Sequence, residues 1–396
     1  MSRPRTFGQL GEVFDGPHAT PRRLDQGPYF LSISSLDKGR LNLDLSDHVS
    51  PADFALWTRR IEPREGDLLF SYETRLGEAA LMPARVEACL GRRMALLRPD
   101  TSVVDPRFLL YYYLSPYFQS VIAERAVHGA TVSRIPLIHM GSWPVDIPPI
   151  DKQRRIAEVL GALDEKIAAN RLLVKATQLL AASIFERASE RAAQTTSTFG
   201  EVARIDGGST PSTTEPDYWT GDVAWATPTD VTALPSPYLR RTARTISQAG
   251  LSACSSPLFD PGSILMTSRA TIGAFAIAQV PTAVNQGFIV VRPRETKLLW
   301  WLFHDMQKRV DEFKAQANGA TFLELPRGRF RDLPVEIPHA EELEGFARKA
   351  EPLHARAAAG AAESEQLAGL RDTLLPKLMS GELRVKDAEK QVEEVV

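Results

Sequence analysis

The sequence predicts an α+β chain built as a pseudo-two-fold internal repeat. Two similar globular units are each followed by a long helix, and the two helices pair antiparallel as a coiled coil. Three observations carry this expectation. Gly129-Ala130-Thr131 returns as Gly319-Ala320-Thr321, and Val145-Asp146-Ile147-Pro148 as Val335-Glu336-Ile337-Pro338, both at an offset of 190. Each copy then passes from its Ile-Pro into a stretch of helical periodicity. The chain has 396 residues, 43% hydrophobic and 24% charged, which suits two to three soluble globular domains.

The expected order is a first unit over 1–150, a first helix over 151–193, a second unit over 194–338, a second helix over 339–383 and a charged tail over 384–396. Within the first unit, short β-like runs fall at Tyr29 to Ile33, Asp67 to Tyr72 and Met94 to Leu97, separated by Gly and Pro turns. A helical patch over Pro106–Arg125 follows, carrying Tyr111, Tyr112, Tyr113 and Phe118. The second unit repeats the order, with strands near Val223–Ala226, Ser263–Thr267, Ala274–Gln279 and Phe288–Val291, then a helix near Leu298–Ala317. Further matches fall in register: Leu10-Gly11-Glu12-Val13 with Phe199-Gly200-Glu201-Val202, Thr20-Pro21 with Thr210-Pro211, and Leu96-Leu97-Arg98-Pro99 with Val290-Val291-Arg292-Pro293. Gly66 to Ser71 matches Gly262 to Thr267, and Gly77 falls on Gly273. The offset drifts between 189 and 196, as loop insertions in a shared core would make it.

The first long helix begins after Pro148-Pro149, with Asp151 as its expected N-cap. Ile156, Leu160, Leu163, Ile167, Asn170, Val174, Thr177, Ala181 and Ile184 recur at 4-3 spacing, a coiled-coil seam with a polar Asn170 that can fix register. The second helix answers with Leu343, Phe346, Ala350, Leu353, Ala357, Gly360, Ser364, Leu367, Leu374 and Leu378, and Pro352 predicts a kink or local break. A helix of ~40 residues is ~60 Å long, which is the scale of neighbouring major grooves on DNA, ~34 Å apart. Two unrelated surface helices, each packed on its own domain, are the plainer alternative.

Net charge is −2, and residues 1–150 carry 17 basic and 17 acidic side chains. Charge thus permits nucleic-acid binding without announcing it. All the basic residues of the first unit except Lys38 are arginine, a residue suited to bidentate contacts, though genomic composition alone accounts for the bias. Cys89 and Cys254 sit in opposite repeats outside any metal-spaced cluster, pointing to a reduced, cytoplasmic setting. No apolar run approaches a membrane span, so no membrane partner is expected.

The motifs, taken in order, resemble those of the specificity subunit of type I restriction–modification enzymes over nearly the whole length. Repeat two carries Gly200-Glu201-Val202, Gly208-Ser209-Thr210-Pro211-Ser212, Asp217-Tyr218-Trp219-Thr220-Gly221-Asp222-Val223 with Trp225, Thr267 to Gly273, and Asn285-Gln286-Gly287. Gln153-Arg154-Arg155-Ile156-Ala157 with Leu163-Asp164-Glu165-Lys166-Ile167 resembles the family's first spacer helix, and Leu370 to Leu383 its ending. Repeat one departs: it lacks the Tyr-Trp, and Gly91-Arg92-Arg93 replaces Asn285-Gln286-Gly287. Glu73-Thr74-Arg75 stands against Arg269-Ala270-Thr271.

The resemblance implies two target-recognition domains on a non-catalytic subunit that binds double-stranded DNA at a two-part site. It also implies partners: two adenine-N6 methyltransferase subunits, which hold S-adenosylmethionine, and endonuclease/translocase subunits. The residues agree that catalysis lies elsewhere. The sequence has no Gly-x-x-x-x-Gly-Lys-Ser/Thr loop and no Asn/Asp-Pro-Pro-aromatic stretch such as a methyltransferase's family motif implies. No ligand-spaced histidine pair is present, and Asp217 with Glu295 and Lys297 is too widely spaced for a nuclease. Two other classes stay open: a self-contained modification enzyme, and a helical scaffold or anti-restriction protein with no DNA contact.

DNA-contacting residues are expected on loops. In repeat one they are Tyr72, Thr74, Arg75 and Arg134. In repeat two they are Ser209, Thr210, Tyr218, Ser268, Arg269, Thr271, Gln286, Arg327 and Arg329. Arg269 can fork onto guanine with its neighbouring hydroxyls on phosphate, or it can form a local ion pair. Gln286 can pair with adenine or serve as a buried structural amide. Tyr218, Trp219 and Trp225 can stack on a base, with core packing the expected role for Trp225.

Overall fold

Two units divide the chain in the computed structural model, one formed by residues 1–167 with 366–396 and the other by residues 168–365. The structure describes residues 3–17, 20–129, 132–191, 194–319 and 323–396, so the repeated Ala-Thr at 130–131 and 320–321 lies outside the described residues.

In the first unit the chain alternates apolar runs with turns, and those runs pair into a four-stranded antiparallel sheet. Its order is Gly11–Asp15, Met94–Pro99, Leu68–Ser71 and Ala79–Leu81. Leu68 to Ser71 is buried on both faces, which explains a run of apolar residues without alternation. A second sheet sets Leu24–Leu31 between Asp47–His48 (antiparallel) and Ala88–Leu90 (parallel). The tyrosine-rich patch forms two helices, Pro106–Leu114 and Pro116–Arg125. The break falls at Ser115, which is extended ahead of Pro116 and caps the second helix by accepting from Phe118 N.

The second unit repeats this plan. Ala203–Asp206, Phe288–Pro293, Ile264–Thr267 and Phe275–Ala278 form the matching sheet, with Tyr238–Leu239 added as a fifth strand. Among the described residues the first unit has a single parallel bridge, Gly39 to Ala80, on that edge. Val223–Ala226 sits between Arg244–Ile246 and Thr282–Val284 with the same antiparallel and parallel partners as in the first unit. The helical patch is again two helices, Leu299–Lys308 and Val310–Ala315. Backbone signatures coincide as well. Gly66 and Gly262 have φ +85° and +88°, and Gly77 and Gly273 have +86° and +88°. The positive φ disfavours any side chain at both turns, and at Gly273 a Cβ would also lie 2.6 Å from Val310 Cγ1.

Both long helices form, Ile150–Arg191 and Ala340–Ser380, and each contributes to both units. Helix begins at Ile150, so Asp151 stands in the first turn rather than at the cap, still on the side the helix dipole favours for an acid. In the first unit Ile156, Leu160, Leu163 and Ile167 share one core with Leu367, Leu374 and Leu378 and with Phe7, Phe70, Phe118 and Trp143. In the second, Val174 packs with Ala350 and Ala357, and Asn170 Nδ2 donates to Glu363 at 2.9 Å. Pairing runs antiparallel in each: Asp164 meets Arg371, while Asn170 and Val174 meet Glu363 and Gly360. The break expected at Pro352 is absent. Arg348, whose carbonyl loses its helical donor to the proline, is exposed, as Pro352 is, so the lost bond falls on the solvent side of a continuous helix. Among the described residues no helix is long and apolar enough to cross a membrane, and no cluster of three or more metal-ligating side chains occurs.

Candidate nucleic-acid interface

In the second unit the conserved-looking motifs of the repeat collect at the strand ends. The Gly-Ser-Thr-Pro-Ser turn is held by both tryptophans: Trp225 Nε1 donates to Ser209 O at 3.2 Å and Trp219 Nε1 to Ser212 O at 3.0 Å. Ser209 Oγ accepts from Ser255 N at 2.9 Å, and Thr210 Oγ1 donates to Gln286 Oε1 at 2.7 Å. Trp225 is core, as expected, while Trp219 is partly exposed and meets it edge-on at 5.0 Å. Tyr218 is half-buried, with its carbonyl accepting from Ser247 N. The structural amide is the half-buried Asn285, whose Oδ1 accepts from Gly287 N at 2.8 Å. Gln286 is exposed, which removes the buried reading of that residue.

Alongside this turn, Arg269 and Thr271 emerge at the end of Ile264–Thr267. Ala270 between them adopts φ +58°. Arg269 is bridged across to Glu324 and ion-paired with it at 2.8 Å, both side chains being more than 40% exposed, and its Nε is buried without an acceptor. The local ion pair therefore exists, in a setting where such a pair contributes at most about 1 kcal/mol. Arg327 and Arg329 lie on a short helix, Arg327–Arg331, rather than on a loop. Arg327 passes over Gly207, where a Cβ would come within 3.0 Å of its Cδ. Arg329 Nε donates to Gln316 at 2.6 Å.

Two expectations are corrected here. Ser268 is only 3% exposed, clamped between Gly287 O and Leu325 N, so its hydroxyl is not offered to a phosphate. Tyr72, at the matching position of the first unit, is 6% exposed, and its hydroxyl donates to Arg92 O at 2.8 Å. Burial pushes that phenol up to about 12, so it serves as a neutral structural donor. Both residues sit two places before Thr74 and Ala270, whose positive φ turns the chain outward.

The first unit uses the same backbone with other side chains. Glu73 is bridged to Arg134 as Arg269 is to Glu324, so acid and base have exchanged strands. Glu73 turns to Arg93 at 3.4 Å, leaving the Arg134 guanidinium exposed with no side-chain partner among the described residues. Thr74 is exposed, and Arg75 donates to Ile33 O at 3.1 Å and Glu78 at 3.0 Å.

The two units thus carry different side chains on one backbone plan. The family described as "Type I restriction modification DNA specificity domain" matches residues 59–176 and again 194–351. The chain belongs to this family. A relative named the type I restriction enzyme MjaIX specificity subunit, from Methanocaldococcus jannaschii, is 36% identical over 151 residues, spanning 37% of this chain and 34% of that one. The putative MjaX specificity subunit of the same organism is 23% identical over 357 residues, covering 81% of this chain and 79% of the relative. Among solved structures, the type I restriction–modification S subunit from M. genitalium superposes with a TM-score of 0.61 over 96% of both chains at 16% identity, a likeness of fold.

Within these two specificity domains, sequence reasoning missed Glu324, the partner of Arg269, and Arg244, whose guanidinium lies 3.5 Å over the ring of Trp219. Neither is signalled locally. Both become visible only once strand register places Arg244 opposite Trp225 and Glu324 opposite Arg269.

Proposed function

We propose that this chain is the non-catalytic, sequence-reading subunit of a type I restriction–modification system. Each specificity domain reads one half of a bipartite double-stranded site. The long helices fix the gap between the halves and dock two adenine-N6 methyltransferase subunits, which carry S-adenosylmethionine, with endonuclease/translocase subunits joining the full complex. The observation that carries this reading is that corresponding turns of the two units bear different hydrogen-bonding side chains at the surface: Thr74, Arg75 and Arg134 in the first, and Arg269, Thr271, Gln286 and Arg327 in the second. Such a pattern fits two readers of two different words, since base edges are distinguished by donor and acceptor geometry.

The test is a genome-wide map of methylated adenines in the host with and without the chain. A two-part motif that vanishes on deletion is the expected result; a continuous motif, or methylation by the purified chain alone, contradicts the proposal. A four-residue insertion in each long helix, about one turn or ~5.4 Å, should lengthen the unread gap by one to two base pairs while both halves stay the same.

A further inference from the structure

We infer that Arg244 is a specificity-determining residue of the second unit, set by stacking on Trp219 to fork onto a guanine edge; the inference rests on the DNA-reading function proposed above. The guanidinium of Arg244 lies 3.5 Å above the Trp219 ring and 5.8 Å from that of Trp225, and the side chain is exposed. No hydrogen bond or ion pair engages that guanidinium among the described residues, so its donors are unspent. Its position is nonetheless fixed. Trp225 pairs with Arg244 in strand register, Thr242 Oγ1 donates to Arg244 O at 2.7 Å, and the same hydroxyl accepts from Trp225 N at 3.2 Å.

Stacking has a particular consequence. A cation that merely neutralises phosphate needs no fixed plane, and a lysine would serve. A guanidinium held 3.5 Å from an indole ring has its orientation restricted by that close contact, which matters for a planar bidentate partner such as guanine O6 and N7. The platform is tied to the rest of the interface: Trp219 bonds to Ser212 O, Trp225 to Ser209 O, and Thr210 of the same turn to the exposed Gln286. An arginine and a glutamine, suited to guanine and adenine respectively, thus stand on one hydrogen-bonded support.

The first unit shows what the arrangement looks like when disarmed. Phe30 pairs with Asp47 in the register where Trp225 pairs with Arg244. Arg23 lies over Phe30 at 5.9 Å, but Asp47 holds it in an ion pair at 2.9 Å. At this register position both units set a guanidinium above an aromatic, and among the described residues the second unit's is the uncommitted one of the two.

The experiment uses the full chain. Wild type first selects its preferred duplex from a random pool. Binding is then measured for that duplex and for variants changed one base pair at a time, with Arg244→Ala, Arg244→Lys and Trp219→Ala compared under several salt concentrations. Arg244→Ala should weaken the preferred duplex by about tenfold or more and erase a preference for G·C at one base pair, all others unchanged. Arg244→Lys, which keeps the charge but cannot fork, should erase the same preference, and Trp219→Ala should blunt it. Unaltered thermal unfolding of the exposed-site variants separates these effects from loss of fold. A loss spread equally over all sequences, with a shallower salt dependence, would identify a phosphate contact and overturn the assignment. Unchanged selection by Arg244→Ala overturns it too, while leaving the DNA-reading function standing. A wild type that selects no sequence overturns that function and this inference together.

Discussion

The two units have one fold, yet each fastens its globule to the long helices with different chemistry. In the first, a carboxylate is the hub. Asp164 of the first long helix accepts from Tyr111 Oη at 2.6 Å and from Arg371 of the second at 2.7 Å, with Arg40 alongside at 3.7 Å; Arg107 pairs with Glu165 one residue on. In the second unit the hub is neutral and buried. His304 Nε2 faces His354 Nε2 at 3.0 Å, Tyr238 Oη meets His354 Nδ1 at 2.9 Å, and Trp300 stacks on His354 at 3.6 Å while donating to Glu351. With one proton between two facing imidazole nitrogens, the two rings cannot both be protonated. Burial pushes His304 down to about 4, and burial with the neighbouring imidazole pushes His354 to about 3. The comparison shows that a repeat preserves where a joint must be made and leaves the bonding open.

The largest expected effect follows from that difference. Both histidines are neutral in the folded unit but accept protons near pH 6.5 when unfolded, so the unfolded state binds more protons as pH falls. Stability of the second unit is therefore full above about pH 6.5 and lost progressively toward pH 4, by roughly 1.4 kcal/mol per pH unit for each histidine. Hydrogen exchange at pH 7.5 and 5 should show the second unit's helix at Leu299–Lys308 losing protection disproportionately, and the double variant His304→Leu/His354→Leu should abolish the contrast. Equal acid sensitivity in both units would break the comparison.

Next in size is the carboxylate hub. Asp164→Ala leaves the largely covered Arg371 and the Tyr111 hydroxyl without their acceptor, for a loss of about 2 kcal/mol after allowing for partial exposure. Urea unfolding should register the loss in the first unit alone.

The smallest effect concerns the exchanged charges at the interface. Glu324→Gln frees Arg269 from its ion pair and should tighten DNA binding a few-fold, consistent with the ~1 kcal/mol scale of an exposed pair. The mirror change, Glu73→Gln, releases Arg93 from a longer pair of 3.4 Å and leaves Arg134 as it was, so it should alter binding less. Equal gains in a salt-titrated binding assay would mean that the two loops do not differ in the way their side chains indicate.

Much of the scaffold was legible in advance. The helical seams from Ile156 to Ile184 and from Leu343 to Leu378, the strands at Leu68–Ser71 and Ile264–Thr267, and the paired glycine turns are periodic or steric patterns within short windows. The interface was legible only in part. Thr74, Arg75, Arg134, Arg269, Thr271, Gln286 and Arg327 reach the surface, whereas Tyr72 and Ser268 do not, because burial at a strand end is decided by which residue the turn rotates outward.

The amino-acid order by itself thus determined the duplication, the two long helices and the places where only glycine fits, since these depend on neighbours a few residues away. The folded chain alone decided that Asp164 answers Arg371, that His304 faces His354, and that Arg244 lies on Trp219. Those partners are far apart along the chain, and a polar group shows no preference for a distant mate until packing has removed the water that would otherwise satisfy it.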